Sequence, residues 1–251
     1  MVRSTTRKDQ MSKPLALCIA TIGRDGWEEG PNQWNPLATN GPYPMYIGNF
    51  KDSGRSYPQR LNDCWRESAA PILGFLHDDL YIYEQGWDER ILKQFDDPEI
   101  AVVAVFGALG HGTPDLYANN EFVMGKMARV CCLSNMRDAE THGQRFTGER
   151  DISVLDMMGA FVRRDLLEST GGWPEDGPCI YDYWICCEAR RHKKRIRLVG
   201  VDCAHLSSSS YQECKKLGIY AYQDHPEDGL IANRRIWEEY RDVLPAWTER
   251  I

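Results

Sequence analysis

Residues 71–107 read "PILGFLHDDLYIYEQGWDERILKQFDDPEIAVVAVFG". "ILGFL" has the continuous apolar character of a buried strand, and it runs straight into His77-Asp78-Asp79. "GWDERILKQFDDP" is an amphipathic helix with Ile91, Leu92 and Phe95 on one face. "EIAVVAVFGALG" is the most strand-like run in the chain. Continuous apolar strands alternating with helices predict an α/β fold with a mainly parallel sheet covered on both faces.

The same alternation extends outward. Upstream, "PLALCIATIGR" reads as a strand leading into a loop, and "MYIGNF" as a second short strand. Residues 25–44, rich in Gly, Pro and Asn, read as a long surface loop. "YPQRLNDCWRESAAP" has Leu61, Cys64 and Trp65 at helical spacing and stops before Pro71. Downstream, residues 107–153 carry little periodicity and predict irregular structure. "VLDMMGAFVRRDLLESTGGW" predicts a strand and a short helix ending at Gly171-Gly172. "YDYWICCEARRHKK" predicts a helix, "RIRLVGVDCAHL" a strand, and "LIANRRIWEEYRDVLP" a closing helix stopped by Pro245. Without repeats or low-complexity tracts, residues 14–251 read as a single domain behind a polar, disordered tail, residues 1–13.

The chain has 251 residues, enough to bury a full core without disulfides or metals. A net charge of -7 argues against a general DNA-coating protein but leaves room for a local basic patch. No apolar run approaches the ~20 residues that cross a bilayer, and the N-terminus lacks the apolar stretch of a secretory signal. The nine cysteines are odd in number and contain no C-x-x-C pair, which points to free buried thiols and a cytoplasmic setting.

In open α/β sheets, ligands bind beyond the carboxyl ends of the strands, where Asp78 and Asp79 sit. Adjacent carboxylates repel, and a divalent cation relieves that cost. The alternative is a solvated turn. His205 ends a second strand; a lone histidine is usually structural, but imidazole suits manganese. Asp182 opens a helix, where the dipole already favours a carboxylate, and it can also serve as a general base.

These residues carry a resemblance. "ILGFLHDDLYIYEQGWDERILKQFDDPEIAVVAVFG" and "VLDMMGAFVRRDLLESTGGWPEDGPCIYDYWICCEARRHKKRIRLVGVDCAHLS" resemble, in motif order, the GT-A-fold glycosyltransferases of the inverting, DxD-containing family 2 type. The likeness runs over roughly residues 14–245 and implies a Rossmann-like GT-A domain. Residues 14–107 would form its nucleotide-sugar half, 108–210 its acceptor half and 211–251 a C-terminal helical segment. It implies Mn2+ or Mg2+ held by Asp79 and His205, with Asp78 helping at metal or ribose. His77 stands at the first motif position, normally acidic, and would lie on the donor side with the nucleotide. Thr21, Gly23 and Arg24 match the first loop lining the nucleotide, Asp52 a base-reading aspartate, and Asn62 a family asparagine. Asp182 falls at the catalytic base, with Tyr181 in place of the usual glutamate, and Gly172, Trp173 and Tyr181 would line the acceptor, Trp173 as its platform.

The implied activity is metal-dependent, inverting transfer of a sugar, with UDP the commonest nucleotide among similar proteins. The acceptor hydroxyl could belong to a glycan, a lipid-linked sugar, a protein or a hydroxymethylated base in DNA. "ARRHKKRIR", residues 189–197, is either a solvated helix end or a phosphate-contacting patch. The patch would suit a DNA-modifying transferase, or a non-catalytic nucleic-acid-binding protein of the same architecture. A nucleotidyltransferase shares the strand-end carboxylates, but "IATIGRDG" lacks the glycines and lysine of a phosphate loop.

Overall fold

The computed structural model describes residues 13–23, 25–49, 56–109, 132–137, 143–176, 181–206, 216 and 226–243. In chain order the first half comprises β1 (Leu15–Thr21), α1 (Glu29–Leu37), β2 (Met45–Asn49), α2 (Tyr57–Glu67), β3 (Ile72–Leu76), β4 (Leu80–Ile82), α3 (Trp87–Gln94), β5 (Ile100–Ala104) and β6 (Phe106–Ala108). There follow β7 (Cys132–Ser134), β8 (Gln144–Arg145), β9 (Glu149–Asp151), β10 (Val154–Leu155), β11 (Gly159–Arg163), α4 (Arg164–Thr170), α5 (Tyr181–Arg191), β12 (Arg195–Val199), β13 (Cys203–His205) and α6 (Pro226–Tyr240).

The central sheet has the order β2-β1-β3-β11-β5-β12-β9. β1 pairs in parallel with β2 and β3, and β12 with β5, whereas β11 lies antiparallel between β3 and β5, and β9 antiparallel on β12. Five strands therefore share one direction. Every residue of β1, β3 and β5 is buried, which explains their unbroken apolar sequence: both faces are covered.

The helices form where the sequence supplies a stripe and a start signal. In α2 the Gln59 Oε1 accepts the Ser56 N–H at 2.9 Å, and Leu61, Cys64 and Trp65 are buried. The left-handed Gly171, φ 80°, stops α4. The described cysteines Cys18, Cys64, Cys132, Cys186, Cys187 and Cys203 are buried free thiols, and among the described residues no helix is long and apolar enough to cross a membrane.

Two expectations change. Residues 29–37 are a helix, not surface loop. Pro31 falls in the first turn, where no intrahelical donor is needed, and Pro36 only at the last. The helix forms because Trp34 is fully buried and its Nε1 donates to the Leu80 carbonyl at 3.0 Å. The run "RIRLVGVDCAHL" is two strands rather than one: after Val199 the chain leaves the main sheet and pairs as β13 with β4. The span 107–153, expected to be irregular, also holds the short strands β7, β8 and β9, and β7 and β8 join β6 and β10 in a separate four-stranded sheet.

Asp88, at the start of α3, is fully buried and accepts from the Thr39 N–H (2.8 Å), the Asn40 N–H (2.8 Å) and the Tyr43 hydroxyl (2.6 Å). Burial raises its carboxyl, but these donors outweigh it and hold the group below the ordinary value. Asp88→Asn turns an amide NH2 toward those donors and should cost about 3 kcal/mol in urea unfolding at pH 7. Because the native value is depressed, this stabilisation is present above the unfolded carboxyl's range and is lost as pH falls. The difference between native and variant should shrink below about pH 4.

Candidate functional site

The five parallel strands bring their carboxyl ends to one edge, and the site lies there. β1 ends on Thr21, and β3 delivers His77, Asp78 and Asp79. β11 runs the other way, so the turn before it, Asp156–Met158, reaches the same edge; the His77 N–H donates to the Met158 carbonyl at 3.0 Å.

The neighbouring carboxylates part company. Asp78 is buried and its Oδ2 accepts the Thr21 hydroxyl at 2.5 Å, while Thr21 Oγ1 accepts the Gly23 N–H at 2.9 Å. Thr21 and Gly23 thus shape the first loop around Asp78. Asp79 faces the other way, with Oδ1 3.0 Å from His205 Nε2 and 4.0 Å from His77 Nδ1. The two imidazoles stand 3.3 Å apart, Nδ1 to Nε2. Register makes this possible: His205 is the partner of Leu80, and the Leu206 N–H donates to the Asp79 carbonyl at 3.1 Å. Gly30 lets α1 brace the turn, since a Cβ there would lie 2.7 Å from the Leu80 carbonyl oxygen.

His77, Asp79 and His205 are a group able to hold a metal ion. Three atoms separated by 3.0, 3.3 and 4.0 Å lie on a circle of radius about 2.0 Å, close to the length of a zinc–nitrogen or zinc–oxygen bond. One ion can therefore touch all three. Burial, then the neighbouring His205, hold the His77 imidazole below its ordinary value, which favours the neutral, ligating form. The resemblance had assigned the metal to Asp79 and His205, with Asp78 as helper; the geometry adds His77, while Asp78 is bonded to Thr21.

Asp182 lies on the same turn from the other side. Its Oδ1 accepts the Met157 N–H at 2.7 Å, one residue from the carbonyl that holds His77. Burial, then the charge of Asp156, push the Asp182 carboxyl up to about 8. Asp156 was not singled out from the sequence. The available signal was a carboxylate directly ahead of the "MMGAF" strand, at the sheet edge where the other acids gather. Tyr57 borders these acids: burial, then Asp182, then Tyr181 and Asp156, push its phenol upward.

The remaining candidates divide. Tyr181 is half-buried beside Asp182, its ring 6.1 Å from that of Tyr57. Trp173 is 2 % exposed and packed against Phe75, Tyr181 and Trp184, so its ring is a wall of the core and not an open acceptor platform. Gly172, φ 101°, forms the turn before it, and a Cβ there would lie 2.4 Å from Asn62 Oδ1. Asn62, expected at the donor, is committed elsewhere. Its Nδ2 donates to the Trp173 carbonyl (2.8 Å) and Glu175 (2.7 Å), and its Oδ1 accepts from Trp65 Nε1 and the Trp173 N–H, both at 2.8 Å. An amide has two donors and two acceptor positions, and all are used. Arg24 and Asp52 lie outside the described residues.

Most cations of the basic run are engaged at the surface of the fold, with Arg191, His192 and Lys193 exposed. Arg190 donates to the Ser153 carbonyl at 2.5 Å, and Arg191 pairs with Glu188 and Glu239 at 3.2 and 3.4 Å. Lys194 donates to the Pro98 carbonyl; Arg195 pairs with Asp97 and Asp151, and Arg197 with Asp151. Cations matched to carboxylates, as Arg191, Arg195 and Arg197 are, project little field.

No protein-family model matches the sequence, and no curated protein is significantly similar to it. Among solved structures, the chain is similar to a mannosyltransferase from Pyrobaculum calidifontis, in complex with GDP-mannose and Mn2+. The TM-score is 0.51 at 13 % identity, over 92 % of this chain and 73 % of that one. It is similar also to residues 1–349 of TarS from S. aureus, with a TM-score of 0.50 at 13 % identity and the same coverages. Both are glycosyltransferases of the GT-A-like fold. The mostly parallel sheet, its flanking helices and this likeness make the chain a GT-A-type α/β fold.

Proposed function

We propose that the protein is a metal-dependent, inverting glycosyltransferase that moves a sugar from a nucleotide-sugar donor to an acceptor hydroxyl. One observation carries the reading. A His-Asp-His group fit for a cation and two half-buried carboxyls, Asp156 and Asp182, meet at one turn, on the carboxyl edge of a GT-A-type sheet. Fold alone does not assign chemistry, so the weight rests on the site.

His77, Asp79 and His205 would hold the ion, Mn2+ or Mg2+, which when bound acts as a Lewis acid on the diphosphate leaving group. Asp78, locked by Thr21, keeps the β3 turn in shape so that Asp79 faces the histidines. Asp182 takes the proton from the acceptor hydroxyl as that oxygen bonds the anomeric carbon. The electron pair of the breaking bond leaves on the diphosphate oxygen, and a single displacement inverts the centre. The Met157 N–H points at the carboxylate that does this work and fixes its direction. A base that titrates near the working pH is suited to the task.

The donor classes to test are UDP- and GDP-sugars, the Pyrobaculum enzyme being a complex with GDP-mannose. In a melting screen, the right nucleotide sugar with Mn2+ should raise the melting temperature in proportion to the logarithm of its concentration over its dissociation constant. Asp79→Ala should abolish the metal-dependent part. Absence of any shift across UDP- and GDP-sugars, with and without Mn2+, would remove the reading. A shift without transfer to glycan, lipid-linked or protein acceptors would leave a binding protein.

A further inference from the structure

We propose that Asp156 selects the acceptor, its carboxylate binding a second hydroxyl on the carbon next to the one whose hydroxyl Asp182 deprotonates. The acceptor is then a ring with two neighbouring hydroxyls. This rests on the glycosyl-transfer reading above and deepens it by naming the acceptor class and the residue that reads it. Both carboxyls grip one tripeptide: Asp156 Oδ1 accepts the Met158 N–H at 2.9 Å, and Asp182 Oδ1 accepts the Met157 N–H at 2.7 Å. Successive amides thus hold the two side chains at a single turn. Both are half-buried, so each still meets solvent.

A second carboxylate beside a base is costly, because like charges repel, and the charge of Asp156 helps push Asp182 up to about 8. Holding the turn does not require that cost. The Asp156 N–H already donates to the Phe106 carbonyl at 3.2 Å, and an asparagine oxygen can accept from Met158 as well as a carboxylate can. What the carboxylate adds is a strong acceptor, and its Oδ2 has no hydrogen-bond donor among the described residues. A hydroxyl is a fitting donor, and it keeps its proton; only the hydroxyl facing Asp182 loses one. Tyr57 and Tyr181 border the same acids, both half-buried, with ring centroids 6.1 Å apart. Their aromatic surface suits the apolar C–H face of a sugar ring. A serine side chain or a hydroxymethyl group offers one hydroxyl and no such ring of neighbours.

The experiment compares initial rates with the methyl pyranosides of glucose, galactose and mannose, each beside its monodeoxy analogues, using UDP- and GDP-sugars with Mn2+. A serine peptide and a hydroxymethylated oligonucleotide serve as acceptors whose target hydroxyl stands alone. In the native protein, removing the hydroxyl next to the reacting one should lower kcat/KM by about 10- to 100-fold, as for a hydrogen bond to a charged group. Asp156→Asn keeps the bond from Met158 but not the charge, and should shrink that factor to about fivefold or less. The native comparison decides even if the variant folds poorly. Equal rates with parent and deoxy acceptors, or faster transfer to the peptide or oligonucleotide, overturn this inference and leave glycosyl transfer standing. So does a variant that only shifts the pH at which the rate levels off and keeps the native discrimination, since Asp156 would then act through Asp182 alone. No transfer to any of these acceptors also overturns it; if nucleotide sugars give no melting shift either, the reading above falls with it.

Discussion

Asp182→Asn should hold the nucleotide sugar as tightly as the native protein and transfer it about 10²–10⁴ times more slowly. The substitution is nearly isosteric, and the amide oxygen can still accept the Met157 N–H that now reaches Oδ1 at 2.7 Å. What it removes is the ability to take a proton. In the native protein the rate at saturating donor and acceptor should rise with pH and level off above about 8, because the base acts only once ionised. Donor calorimetry beside initial rates across pH 6–10 separates the two effects. Near-native turnover in the variant removes Asp182 from the role.

A stability signature accompanies the kinetic one. The native Asp182 carboxyl is raised, by burial first and by Asp156 second, so the folded protein holds a proton that the unfolded chain has released. Between the unfolded carboxyl's range near 4 and the folded value, stability must therefore decline as pH rises. Asp182→Asn abolishes that decline. The variant should melt higher than the native protein at pH 8–9, and the gap should close toward pH 4. A constant gap would mean that the carboxyl is not held protonated.

Asn62→Ala should lower the unfolding free energy by about 3 kcal/mol or more while leaving intrinsic donor affinity close to native. The cost follows from what the truncation strands: Trp65 Nε1 and both backbone polar groups of Trp173, all in buried surroundings. Each unpaired buried group costs about 1–3 kcal/mol. The clamp ties α2 to the turn after α4, residues separated by 111 positions, so the loss should appear as a lower urea midpoint with little change in slope. A stable variant with weakened donor binding would return Asn62 to the nucleotide.

Local pattern carried much of the fold. β3, α3 and β5 occur where the apolar spacing of residues 71–107 puts them, because burial on both faces demands an unbroken apolar strand and burial on one demands a stripe. The helix at residues 29–37 was illegible, since proline and glycine argue against it and only the pocket around Trp34 overrules them. Trp173 and Asn62 show the same limit from the other side. A conspicuous tryptophan or asparagine looks like a ligand contact in a string of letters, and only packing reveals that its surface is already taken.

The sequence by itself determined the sheet class, the strand that ends in carboxylates and the candidacy of Asp79, His205 and Asp182, because residue type and period are local properties. The tertiary structure alone decided which of them meet. Asp78 turns to Thr21 and Asp79 to two histidines; His77 becomes a third donor, and Asp156 loads Asp182. Those outcomes depend on the β4–β13 register and on antiparallel β11 bringing its opening turn to the shared edge. Distances between residues more than a hundred positions apart follow from how the strands pair, and no short stretch of chain encodes that.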